Sequence, residues 1–115
     1  MYYEERPPLV TVATTGSKYH TTVNYSIEES GEGFEVESAT VVTDAPIDES
    51  CYGLLVSAIV RARYSADQVE AIVCNYNVTR RTTECKEEMY ALTDWRTMAK
   101  QKASEAIAYV AGGGE

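Results

Sequence analysis

A chain of 115 residues, 44% hydrophobic and 24% charged, has the size and balance of one globular domain that buries a core without covalent staples. Its formal net charge of −8 is repelled by phosphate, and the one adjacent basic pair is Arg80-Arg81, which argues against a nucleic-acid-binding surface. Cys51, Cys74 and Cys85 are odd in number and widely spaced, so they form neither a zinc nor a redox motif and read as small hydrophobes of a reducing, cytosolic chain.

From the start, Met1-Tyr2-Tyr3-Glu4-Glu5 lacks the basic opening and apolar centre of a signal peptide. The longest nearly unbroken apolar run, residues 51–60, is about half of the ~20 residues that cross a bilayer, so no membrane contact is expected. Residues 1–8 read as an extended arm, because Pro7-Pro8 fixes φ and denies the segment a helix. Residues 9–15, LVTVATT, are rich in β-branched side chains and suit a short edge strand that Gly16-Ser17 ends.

Residues 19–28 alternate. Tyr19, Thr21, Val23, Tyr25 and Ile27 fall on one face, and His20, Thr22, Asn24, Ser26 and Glu28 on the other, the period of a strand with one face on a core. Residues 29–33 make a glycine turn, and residues 34–43 return as a second strand. Phe34 and Val36 point inward, but Ala39, Val41 and Val42 blur the phase, which predicts a β-bulge near Ser38-Ala39 or a strand end covered on both faces.

Pro46 suits a helix start, and Asp48 and Glu49 suit the positive end of its dipole. The first helix carries Tyr52, Leu55, Val56, Ile59, Val60 and Arg63 in one stripe, widened by Leu54 and Ala58. So broad an apolar surface marks a helix central to the domain or shared with a second subunit. Ser65-Ala66-Asp67-Gln68 is a capping box that opens a second helix presenting Val69, Ile72, Val73 and Tyr76, and the tight corner at Tyr64-Ser65 predicts that these two helices lie antiparallel as neighbours. Residues 75–83 read as a polar connection. A third helix over 84–110 follows, with a seam of Cys85, Met89, Leu92, Trp95, Ala99, Ala103, Ala106 and Val110. The expected fold class is α+β: an N-terminal antiparallel β-hairpin, with room for a third strand, followed by three α-helices. Residues 9–111 form the single domain, and residues 112–115 a flexible tail.

Candidate chemistry is thin. His20, the one histidine, falls on the polar face of a strand and assembles no catalytic set with a serine and an aspartate. Glu28, Glu29, Glu32, Glu35 and Glu37 gather at the hairpin tip, where carboxylates act more often as a solvated, edge-protecting rim than as an acid/base pair or a calcium site. Gly31-Glu32-Gly33 lacks the further glycine and the lysine of a phosphate loop, and the sequon Asn77-Val78-Thr79 has meaning only in a secreted chain. No cofactor, metal or catalytic residue is expected. The residues marked for an interface are Tyr52, Leu54, Leu55, Ala58 and Ile59 on the first helix and Trp95 and Arg96 on the third, tryptophan and arginine being enriched at binding hot spots.

The run Ala58-Ile59-Val60-Arg61-Ala62-Arg63-Tyr64-Ser65, then Val69-Glu70-Ala71-Ile72, then Tyr90-Ala91-Leu92-Thr93-Asp94-Trp95-Arg96 with Ala99-Lys100, resembles small proteins of tailed bacteriophages and prophages. Those proteins share an R-x-R-Y-S corner and a later W-R-x-x-A-K helix, and they tend to be encoded among structural or tail-related genes. The resemblance covers roughly the C-terminal half, and its motifs are structural. It implies a structural or assembly protein, made in the cytoplasm of a bacterial host and carried on the virion, with other virion or tail proteins as partners; the missing catalytic set and the broad apolar first helix add the expectation that it is non-enzymatic and homo-oligomeric. The alternative, from charge alone, is a small acidic inhibitor or nucleic-acid mimic that occupies a basic site on a host protein.

Overall fold

In a computed structural model, which describes residues 2–79 and 82–112 (for Thr79 the backbone alone), the N-terminal third forms a four-stranded antiparallel sheet in the order β1-β4-β3-β2. The strands are β1 (Tyr2–Tyr3), β2 (Val10–Thr15), β3 (Lys18–Ser30) and β4 (Gly33–Thr43). The α+β class stands, and the expected hairpin grows to four strands. Gly16-Ser17 joins β2 to β3 and Gly31-Glu32 joins β3 to β4. Each two-residue loop places its glycine at φ 61° with no positive φ at the next residue, the twist that hairpin loops of this length need.

The arm is not free chain. Its first residues pair as β1 with Phe34 and Glu35, and the Tyr2 ring lies so close to Gly33 that a Cβ there has no room. Residues 4–9 then carry the chain from one edge of the sheet to the other. Three strand spacings of about 4.8 Å, or roughly 14 Å, fall within the reach of extended segments at about 3.3 Å per residue, and Pro7-Pro8 keeps the segment extended.

A bulge interrupts β3. Val23 pairs with Ala39 and Ser26 with Glu37, so Asn24 and Tyr25 together stand opposite Ser38. The irregularity falls beside the expected site, but the extra residue is on β3 rather than β4. Face assignments around and beyond the bulge change as a result. Ile27 pairs with Val36 and leaves the face of Val23, and Asn24, expected to meet water, is buried with its amide donating to the Pro8 carbonyl at 2.7 Å.

A 3₁₀ turn (Glu49–Cys51), capped by Asp48 accepting from the Ser50 N–H at 2.9 Å, leads into α1 (Tyr52–Arg61). The helices α2 (Ala66–Thr79) and α3 (Thr83–Ala111) complete the chain. α2 runs further than expected, through residues read as a polar connection. The Arg80-Arg81 pair and residues 113–115 of the expected tail lie outside the described residues.

The helix pairing departs most from expectation. α1 and α2 scarcely touch, and each packs on α3. The tight corner fixes where α2 begins, not what it covers. α3, at 29 residues and about 43 Å, is the longest apolar partner on offer, and both helices take it. The α2 stripe is confirmed in full: Val69, Ile72, Val73 and Tyr76 are its residues withdrawn from solvent. The α3 seam is likewise withdrawn at every expected position from Cys85 to Val110. Val10, Val23, Tyr25 and Val41 of the sheet meet Ile47, Leu55, Ile59 and Val60 over Ala99, Ala103 and Ala106, whose small side chains bring α3 close.

Candidate interaction surface

The seven residues marked for an interface divide. Leu55 and Ile59 are spent on the subunit's own core and are not available to a partner. Ala58 is half-buried against that core. Tyr52 and Leu54 remain outside it, 38% and 49% exposed. Trp95 is half-buried, with its ring edge-on to Tyr25 at 5.5 Å and the Arg63 guanidinium 4.9 Å from its ring centre. Its role is to tie elements together. Arg96, also half-buried, stands apart from Tyr52 along α3.

α1 lies antiparallel along α3, its start near Ser104–Ala111 positions and its end near Trp95. Two clefts flank the contact. One, of about 520 Å³, has Tyr52 and Glu49 on one wall and Ser104, Ile107, Ala108 and Ala111 on the other. Small residues on α3 leave space there that Tyr52 does not fill. The other, about 290 Å³, has Val56 and Val60 as an apolar floor with Arg61, Arg96 and Lys100 around it. Against a formal charge of −8, this is a local reversal of sign that the sequence reading did not pick out. A third cleft, about 680 Å³, lies between the arm, the bulge and α3, where Arg6 and Lys102 face Glu28 and Glu105. Lys102 is 3.5 Å from Glu105. These charges oppose one another in sign and leave no strong field for a single ligand class.

On the sheet face away from the helices, His20 stands in a cross-strand row between Ala13 and Val42, and Thr11, Thr22 and Thr40 form the next row. The Thr22 and Thr40 hydroxyls share a hydrogen bond of 2.8 Å. The five tip glutamates lie along β3, its turn and β4, with Glu28 directly opposite Glu35. Of the cysteines, Cys74 is exposed, while Cys51 and Cys85 are half-buried, and none is in a disulfide. Among the described residues no group of three or more His, Cys, Asp or Glu side chains is placed to hold a metal ion, and no helix is long and apolar enough to cross a membrane.

The chain matches no protein-family model, no curated protein and no solved structure.

Proposed function

We propose that this chain is a structural or assembly protein of a tailed bacteriophage or prophage, acting through protein–protein contacts and catalysing no reaction. The observation that carries the reading is the position of Tyr52 and Leu54. Two large apolar side chains stay partly exposed at the start of a helix whose other apolar residues are buried or half-buried, and Tyr52 borders an apolar groove on α3. A large exposed aromatic side chain at the mouth of an apolar groove marks a contact site more often than a scattered single residue does. The C-terminal resemblance supplies the phage context, with virion or tail proteins and further copies of the chain as partners.

The test is native mass together with capture of partners. Tyr52→Ser with Leu54→Ser is expected to abolish assembly and co-purification while leaving the melting temperature near that of the parent, because neither side chain belongs to the buried core. A chain that is monomeric at every concentration and draws down no virion or tail protein would overturn the proposal.

One feature favours a second reading, an acidic decoy for a basic host protein. Glu28 and Glu35 are held face to face across the hairpin, an arrangement that costs stability and is not needed for the fold. Binding to a basic partner from host lysate at low salt, lost on Glu28→Lys with Glu32→Lys, is the expected result under that reading.

A further inference from the structure

The cleft of about 290 Å³ between α1 and α3 gathers three of the chain's ten lysines and arginines and none of its eighteen aspartates and glutamates. Arg61 closes α1, where a cation suits the negative pole of the helix dipole, so its place has a local cause. Arg96 and Lys100 have no such cause. They lie near the middle of α3, four residues apart on one face, and like charges at that spacing repel. No carboxylate stands three or four residues from any of the three cations, so neither helix supplies an intrahelical partner. None of the three forms an ion pair with another described residue.

Between the cations the floor is apolar. Val60 is buried and Val56 half-buried, and Ser57 on the same face of α1 adds an exposed hydroxyl. Size narrows the choice of occupant. At about 290 Å³ the cleft falls just under the roughly 300–1,000 Å³ of pockets that enclose a small ligand, and its walls are two helices only. It has room for one large side chain offered by another chain, with the cations placed to meet what flanks that side chain.

We propose that this cleft receives an acidic segment of a partner protein. One apolar side chain of that segment sits on Val56 and Val60, and the carboxylates flanking it meet Arg61 from α1 and Arg96 and Lys100 from α3. The inference rests on the assembly reading above and states the chemistry of one partner surface. Guanidinium forks match carboxylates with two parallel hydrogen bonds, and the ammonium of Lys100 adds a point charge beside them. The chain's net charge of −8 opposes an acidic partner at long range, but that field is screened beyond the ~8 Å Debye length of physiological salt, and pairs in contact lie well inside it. A nucleic acid fits less well. Its phosphates continue along the strand into acidic surface, and its backbone offers no apolar group to the floor.

Titration of the full chain with the peptide Glu-Glu-Leu-Glu-Glu, followed by nuclear magnetic resonance, reads the proposal at the residues themselves. The methyl signals of Val56 and Val60 and the side-chain N–H signals of Arg61 and Arg96 are expected to move together and to saturate. Exchanging the peptide's glutamates for glutamine, or its leucine for serine, is expected to weaken binding by about tenfold or more in each case. Arg96→Gln with Lys100→Gln is expected to do the same and to keep the parent's circular dichroism, since it removes a repelling pair. Arg61→Gln, at an exposed helix end, gives a second variant that leaves α3 untouched. No shift up to millimolar peptide overturns the inference, as do equal shifts with the glutamine peptide or shifts that survive all three substitutions. Benzoate or inorganic phosphate binding as tightly as the peptide makes this a small-anion site and overturns it too, and so does movement of the same signals with protein concentration alone, which puts a second copy in the cleft. If the peptide fails while assembly is still lost on Tyr52→Ser with Leu54→Ser, the cleft proposal falls and the assembly reading stands. If the peptide binds to a chain that stays monomeric and captures no virion or tail protein, the assembly reading falls and the cleft remains.

Discussion

The indole Nε1–H of Trp95 donates to the carbonyl oxygen of Ile59 at 3.1 Å, bonding the middle of α3 to the last turn of α1. Carbonyls at that position lack intrahelical donors of the regular pattern, and Ile59 otherwise receives the Ala62 N–H at 3.3 Å. The same ring is edge-on to Tyr25 and lies under Arg63. Trp95→Phe keeps an aromatic body and loses the donor, leaving the carbonyl of a fully buried residue less well satisfied. The expected cost is about 1–2 kcal/mol in urea denaturation followed by far-UV circular dichroism. An unchanged midpoint would contradict this account of the α1–α3 contact.

The capping box at the start of α2 is reciprocal: the Gln68 N–H donates to Ser65 Oγ at 3.1 Å, and the Ser65 N–H donates to Gln68 Oε1 at 2.7 Å. Ser65→Ala is expected to cost about 1 kcal/mol. α2 packs on α3 and on little else, so the loss should appear first as local opening. Amide exchange is predicted to quicken across α2 while protection in β3 and the middle of α3 stays as in the parent. Uniform loss of protection in all three would show that α2 does not open on its own.

That box was legible because its chemistry is local: a serine, a glutamine and the spacing between them. The stripes of α2 and α3 were legible for a similar reason, since helical period is a property of a short window. What failed was non-local. A tight corner does not say whether the second helix returns to the first, and the apolar length of α3 decided the matter. The phase of β3 failed beyond Tyr25 because a bulge adds one residue and exchanges the faces beyond it. Nothing in Tyr2-Tyr3 announces a strand, whose place depends on a glycine at the far end of the hairpin. For the candidate surface, periodicity found the wide apolar stripe of α1 but not which part of it was surplus. Leu55 and Ile59 went to the core, and Leu54 and Tyr52 did not.

Thr21 is fully buried between Val12 and Val41 in its cross-strand row, and its hydroxyl has no hydrogen-bond partner among the described residues. An unsatisfied buried hydroxyl carries a desolvation cost with nothing to offset it. Thr21→Val keeps the shape and the β-branching and removes that cost. The variant is expected to be more stable by about 1 kcal/mol, read as a higher denaturation midpoint at unchanged slope. A destabilised Thr21→Val would mean that the hydroxyl has a partner in solution.

Two ionisable groups set opposite pH limits on stability. Burial, then the negative charge of Glu37, raises the Tyr25 hydroxyl above its ordinary 10.0, with Arg63 opposing. A raised folded value means the neutral phenol is favoured in the fold, so its contribution is whole below pH 10.0 and is lost as pH climbs through the folded value. Asp48 runs the other way. The Ser50 hydroxyl and then the Ser50 N–H bond its carboxylate and lower it from 3.8, so its contribution is whole above that value and is lost as pH falls through the folded one. Tyr25→Phe is expected to flatten the alkaline fall in stability and leave the acid limb unchanged, and Asp48→Asn to flatten the acid limb alone. Denaturation midpoints of the parent and both variants across the pH range provide the check. If the parent and Tyr25→Phe curves stay parallel through the alkaline limb, the hydroxyl beside Trp95 is not the group whose ionisation the fold resists.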